Sequence, residues 1–250
     1  MTRVARRGHR AVALTAMLAA MPRALAAAEP EPDEAPGPAP GRLLQGFAAL
    51  DRPTGMAEGG VGVLTLPAAE VCAERRVGCK RGDLSFALEA WQLYRADRRL
   101  AFGAGLVAGL IPTAHPPHDD PDREQTRSYL TVEGAVRYYP YVGEKVEAWL
   151  GLTGGLVVIN DRFRLIDDTD DRALLGTRGV SIRTEGATLG PAIGGAYELG
   201  QRWAFIGTLR YAVWFLPDEP AQDPGGRQAS LTGENQALSV AVGLSYRVTL

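Results

Sequence analysis

The residues best suited to chemistry lie between runs of alternating apolar residues. One stretch reads His115-Pro-Pro-His118-Asp119-Asp120-Pro-Asp122. Imidazole and carboxylate are ligand types for a divalent cation. The prolines make the segment stiff and solvated, and its spacing matches no defined metal site. A second stretch sets Asp161, Asp167, Asp168, Asp170 and Asp171 among Arg162, Arg164 and Arg172. It lacks the central glycine and closing glutamate of a calcium loop. It reads as a charged surface loop, with cation bridging to anionic sugars as the functional alternative. Acyl transfer needs a nucleophile and a base held together. Ser128, His115 and His118 are the nearby candidates, and nothing in their spacing sets a geometry. The sequence therefore predicts no enzyme, no metal site and no cofactor.

The elements around these stretches carry a stronger signal. From Leu238 to Leu250 every second residue is apolar: Leu238, Val240, Val242, Leu244, Tyr246, Val248, Leu250. Between them stand Ser239, Ala241, Gly243, Ser245, Arg247 and Thr249. A period of two over this length is a strand with one apolar and one polar face, long enough to cross a bilayer when tilted. The same pattern predicts strands over 60–66, 84–94, 100–111, 128–139, 146–159, 187–199 and 203–215. The connections alternate. Those at 96–99, 140–145 and 200–202 are short, and those at 67–83, 112–127, 160–186 and 216–236 are long. An even number of strands with short and long connections in alternation is the pattern of an outer-membrane barrel, short turns toward the periplasm.

The polar faces support that reading. They carry Glu89, Arg95, Glu133, Arg137, Glu147, Glu198, Arg210 and Arg247. Such charges are costly against lipid but can pair inside a barrel, and eight strands enclose only enough space for side chains. The expectation is an ion-paired, plugged interior without an aqueous pore. Gly103, Gly105, Gly109, Gly151, Gly155, Gly190, Gly194 and Gly243 are expected to make room there for the long arginines. Tyr94, Phe102, Tyr138, Tyr197, Trp203, Phe205 and Tyr246 cluster near the short-turn ends, as an interfacial girdle does. Pro191 removes a ladder donor within the sixth strand, so a bulge or bend is expected there.

The N-terminus fits export. Arg3, Arg6, Arg7 and Arg10 precede an apolar run over 11–21, and small residues follow to Ala28. This is the build of a cleaved signal peptide over 1–28. Residues 29–58 form an acidic, Pro-rich leader, disordered or with a short helix over 42–50, and the barrel is expected over 59–250. Cleavage after Ala28 removes five of 27 basic residues and none of 29 acids, leaving 22 against 29 and a formal charge of −7. That balance argues against a nucleic-acid partner. In an exported chain the two cysteines, Cys72 and Cys79, predict a disulfide. They enclose six residues, A-E-R-R-V-G, so its effect on global stability is modest. The bases around it, Arg75, Arg76, Lys80 and Arg81, form a solvated loop or a contact for anionic sugars and phosphates.

The alternation, the parity of the connections and the closing strand with Tyr246 near its end resemble the small eight-stranded outer-membrane barrels: the OmpA membrane domain, OmpX and OmpW families. The resemblance covers 59–250. It departs at Leu250, where those families usually end in Phe. It implies an all-β, eight-stranded antiparallel up-and-down transmembrane barrel in a bacterial outer membrane. Its implied partners are outer-membrane lipid, lipopolysaccharide and, through the closing strand, the assembly machinery; the barrel is expected to be a monomer. The expected role is structural or surface-interaction. The alternatives are a narrow OmpW-type channel for small or hydrophobic solutes, or a soluble lipocalin-like ligand carrier with an apolar interior.

Overall fold

The computed structural model describes residues 52–69, 84–115, 123–165, 179–222 and 231–250. The signal segment, the leader up to residue 51, Cys72 and Cys79, the acidic residues beyond His115 and those at 167–171 lie outside the described residues.

The described chain is all strand. In order, these are β1 (Thr54–Thr65), β2 (Leu84–Arg95), β3 (Leu100–His115), β4 (Arg123–Val142), β5 (Val146–Leu165), β6 (Gly179–Glu198), β7 (Trp203–Phe215) and β8 (Glu234–Thr249). Each pairs antiparallel with the next, and β8 returns to β1 over Thr54↔Thr249 to Thr65↔Leu238, closing the barrel. Closure leaves no free sheet edge around the belt, the form in which strands satisfy their backbone without water.

The period of two sorts the side chains. On β8, Val240, Val242, Leu244 and Val248 are exposed, while Ala237, Ser239, Ala241, Ser245 and Arg247 are buried. On β5, Val146, Leu150, Leu152 and Leu156 face out and Glu147, Trp149, Thr153, Val157 and Ile159 face in. From Val146 to Val158 the outward side stays apolar or small. Twelve residues make about 40 Å of strand, or about 30 Å of barrel height at a tilt of about 40°. That matches a hydrocarbon core.

The wall is uneven in height. β4, β5 and β6 have 20 residues each, against 12, 12 and 13 for β1, β2 and β7. On this taller side the ladder continues beyond Leu130↔Val158 through Ser128↔Asn160, Asn160↔Arg183 and Thr126↔Arg162. The outward residues there are polar. Strand structure thus persists where the apolar alternation ends, and Arg127 and Asp161 lie on strands rather than in long loops.

Three further details differ from expectation. β1 begins at Thr54, so the expected boundary at residue 59 falls inside it; its early outward residues are Gly55, Ala57 and Gly59, too small to register as an apolar face. Pro191 makes no bulge: it pairs with Leu152, and β6 holds one register against β7 from Leu189↔Val213 to Ala192↔Arg210 while skipping Gly190 and Pro191. Register shifts lie instead between Tyr138 and Tyr141, around Pro140, where a turn was expected, and between Ile111 and His115 on β3. Finally, several inward glycines make room for aromatic rings more than for arginines. A Cβ on Gly105 would overlap the Trp91 ring, one on Gly194 the Trp149 ring, and one on Gly109 the Tyr129 ring.

Candidate functional site: the charged interior

The inner face holds its charges in three layers. At the short-turn end, Glu147 on β5 takes two arginines. Arg95 Nη1 donates to its Oε2 at 2.7 Å, and Arg247 Nη2 donates to its Oε1. Arg95 also lies over the Tyr139 ring, 3.8 Å from the centroid, and donates from Nη2 to the Arg98 carbonyl at 2.6 Å. The acid therefore joins β2, β5 and β8 across the barrel. Glu198 is half-buried in the same end, and its Oε2 has no hydrogen-bond partner among the described residues.

The middle layer is built on Arg137 of β4. Its Nη1 lies 2.8 Å from Glu58 Oε2, an ion pair by distance rather than an aligned hydrogen bond. Its guanidinium stands 4.1 Å from the Trp149 ring centroid and 6.0 Å from that of Trp91. Desolvated cation–π contacts of this kind are worth about 2 kcal/mol. Close by, Arg210 Nη1 donates to Glu133 Oε2 at 2.8 Å. Glu89 shares a cavity of about 10 Å³ with Trp91, Arg137, Trp149 and Arg210, about the room one water needs.

At the long-loop end, Arg127 Nε donates to Asp161 Oδ1 at 2.9 Å, both residues buried. Beside them Tyr129 shares a hydrogen bond of 3.0 Å with Ser85 and tilts against Trp214 at 5.3 Å between centroids.

The eight charged residues singled out in the sequence all stand on the inner face, with Glu89 and Glu198 only partly buried. Three partners escaped that reading. Glu58 sits on the stretch of β1 taken for leader, and Arg127 and Asp161 on strand ends taken for loop. A signal existed for the last two: in each strand they continue the inward alternation by two residues at a time, from Tyr129 to Arg127 and from Ile159 to Asp161. Asp161 is thus an ion-pair partner, not part of an acidic loop site. Of the three candidates for acyl transfer, the described residues place two. Ser128 is on the outer face opposite Leu110, whereas His115 pairs with Gln125, and His118 lies outside the described residues.

No protein-family model matches the chain, and no curated protein matches it by sequence. Solved structures do resemble it. A major outer membrane protein from Thermus thermophilus aligns with a TM-score of 0.53 and 13% identity, covering 78% of this chain and 99% of that one. Neisserial surface protein A aligns at 0.48 and 10% identity over 77% and 96%, and OprG from Pseudomonas aeruginosa at 0.43 and 15% over 83% and 100%. The chain has the fold of a small outer-membrane β-barrel: eight antiparallel strands, closed, in up-and-down order.

Proposed function

We propose that this chain is an integral barrel of a bacterial outer membrane, closed inside by its own ion pairs, with a structural or surface-interaction role. One observation carries the reading: the polarity is inverted relative to a protein in water. Leu, Val and Phe side chains form the exposed belt, and arginines and carboxylates are buried. A contiguous apolar surface of this extent is an aggregation liability in water, and buried charges are costly unless paired. A lipid bath relieves the first, and the pairs across the interior relieve the second. A lipocalin-like carrier needs the opposite arrangement. The taller β4–β6 wall, with Asn160, Arg162 and Arg183 above the belt and Glu185 at its upper margin, offers the surface for contact with lipopolysaccharide or an external partner.

In cell fractionation the protein is expected with the outer membrane, and its unheated form is expected to migrate differently from its boiled form on a denaturing gel. Recovery in the soluble fraction would overturn the reading. In planar bilayers the expected record is flat, because ion pairs cross the interior in three layers and the gap beside Glu89 holds about one water. Discrete, reproducible openings would replace the plug with the narrow channel.

A further inference from the structure

One geometry recurs at the three short turns. In each, the residue just before an outgoing strand is basic: Arg99 before β3, Lys145 before β5, Arg202 before β7. In each, its carbonyl accepts a backbone hydrogen bond from the following incoming strand: Tyr139 N to Arg99 at 2.8 Å, Glu198 N to Lys145 at 2.8 Å, Arg247 N to Arg202 at 2.8 Å. In each, the residue before that donor is an outward tyrosine: Tyr138, Tyr197 and Tyr246. Two of the bases are tied to their phenols, Arg99 Nη1 to Tyr138 Oη at 3.4 Å and Arg202 Nη1 to Tyr246 Oη at 3.3 Å.

The repeat places an exposed cation at the lower margin of the apolar belt three times around the barrel, and at two of them, Arg99 and Arg202, the cation reaches a phenol. A guanidinium carries five donors and the phenol takes one, which leaves a fork suited to a phosphate. Acids compete unequally. Asp97 Oδ1 is engaged by the backbone N–H groups of Arg99 and Leu100, Glu144 adjoins Lys145, and the Gly200-Gln201-Arg202 turn has no acid. Resting on the membrane reading above, we infer that these base–tyrosine pairs bind the phosphates of anionic phospholipid headgroups in the leaflet at the short-turn end, with the Arg202–Tyr246 pair the strongest.

The chain carries its own reporter. Of its four tryptophans, Trp91, Trp149 and Trp214 are at most 6% exposed inside the barrel, whereas Trp203 is 50% exposed on the outer wall. Trp203 follows Arg202 and tilts against Tyr246, 4.9 Å between centroids. The full chain is refolded into phosphatidylcholine vesicles containing chain-brominated phosphatidylglycerol or, at equal mole fraction, chain-brominated phosphatidylcholine. The expected result is stronger quenching by the anionic lipid, corresponding to a local enrichment of roughly fivefold, what one basic side chain near an anionic surface supplies. Arg202→Gln and Tyr246→Phe each reduce the excess, Trp203→Phe removes the quenching, and inorganic phosphate at constant ionic strength leaves the excess in place. Equal quenching by the two lipids in the wild-type chain, which needs no variant to fold, overturns the inference while leaving the membrane reading intact. Loss of the excess on adding inorganic phosphate would assign the site to a free anion instead. No quenching by either lipid overturns the membrane reading itself.

Discussion

Replacing Arg137 by Met is expected to lower folding stability in lipid vesicles by about 3–5 kcal/mol, the range for removing one partner of a buried ion pair. Glu58 and Arg137 are 2% and 5% exposed at their side chains, so the orphaned carboxylate has little water to turn to. The loss has two further parts. The guanidinium leaves its place over Trp149 and beside Trp91, and Glu89 loses a cation that shares its cavity. The measurement is a urea titration of the refolded barrel followed by gel mobility. The midpoint should fall without a change in slope. The double variant Glu58→Gln/Arg137→Met should recover much of the deficit, because a neutral amide needs no counter-charge. A double variant no better than the single one would mean that the cation–π packing, not the ion pair, holds the middle layer.

The second large effect lies one residue across the wall. Leu152 is 55% exposed near the middle of the outward apolar stretch of β5, while the next residue, Thr153, is buried and donates to the Gly190 carbonyl at 3.4 Å. An arginine at position 152 is expected to cost about 2–4 kcal/mol, as basic residues do at the lipid-facing midplane of barrels, and the penalty should shrink toward the belt margins. Asn160→Arg, at the height where the outer face has already turned polar, should be close to neutral. A soluble barrel would tolerate both changes, so the same urea titrations separate the two cases by the difference between positions 152 and 160.

These effects depend on features that differed in how well the sequence displayed them. Strands β2 to β8 announce themselves because lipid rewards apolar side chains on one face, so Leu, Val and Phe recur at every second place within the belt. Outside the belt that reward ends while backbone pairing continues. Asn160, Arg162 and Arg183 therefore looked like loop, and the buried Arg127–Asp161 pair was hidden with them. β1 was shortened for a related reason: Gly55, Ala57 and Gly59 give an outward face with no hydrophobic weight, which concealed Glu58. Which charge meets which is not written in any local pattern. Glu147 and Arg247 are a hundred residues apart in the chain, and only closure and register bring them together. The glycines paired with Trp91 and Trp149 show a similar limit, since their role depends on which ring the register sets beside them on the neighbouring strand.

The central claim is that lipid wets one face of each strand and packed charge fills the other. The most direct test is a nitroxide scan along β8 in vesicles, on a chain carrying Cys72→Ser and Cys79→Ser. Labels at Val240, Val242 and Leu244 should collide with oxygen and be shielded from an aqueous nickel complex, while labels at Ser239, Ala241 and Ser245 should meet neither, giving an oxygen signal with a period of two. Nickel access at Val240, Val242 and Leu244 would contradict the account, because those side chains would then stand in water.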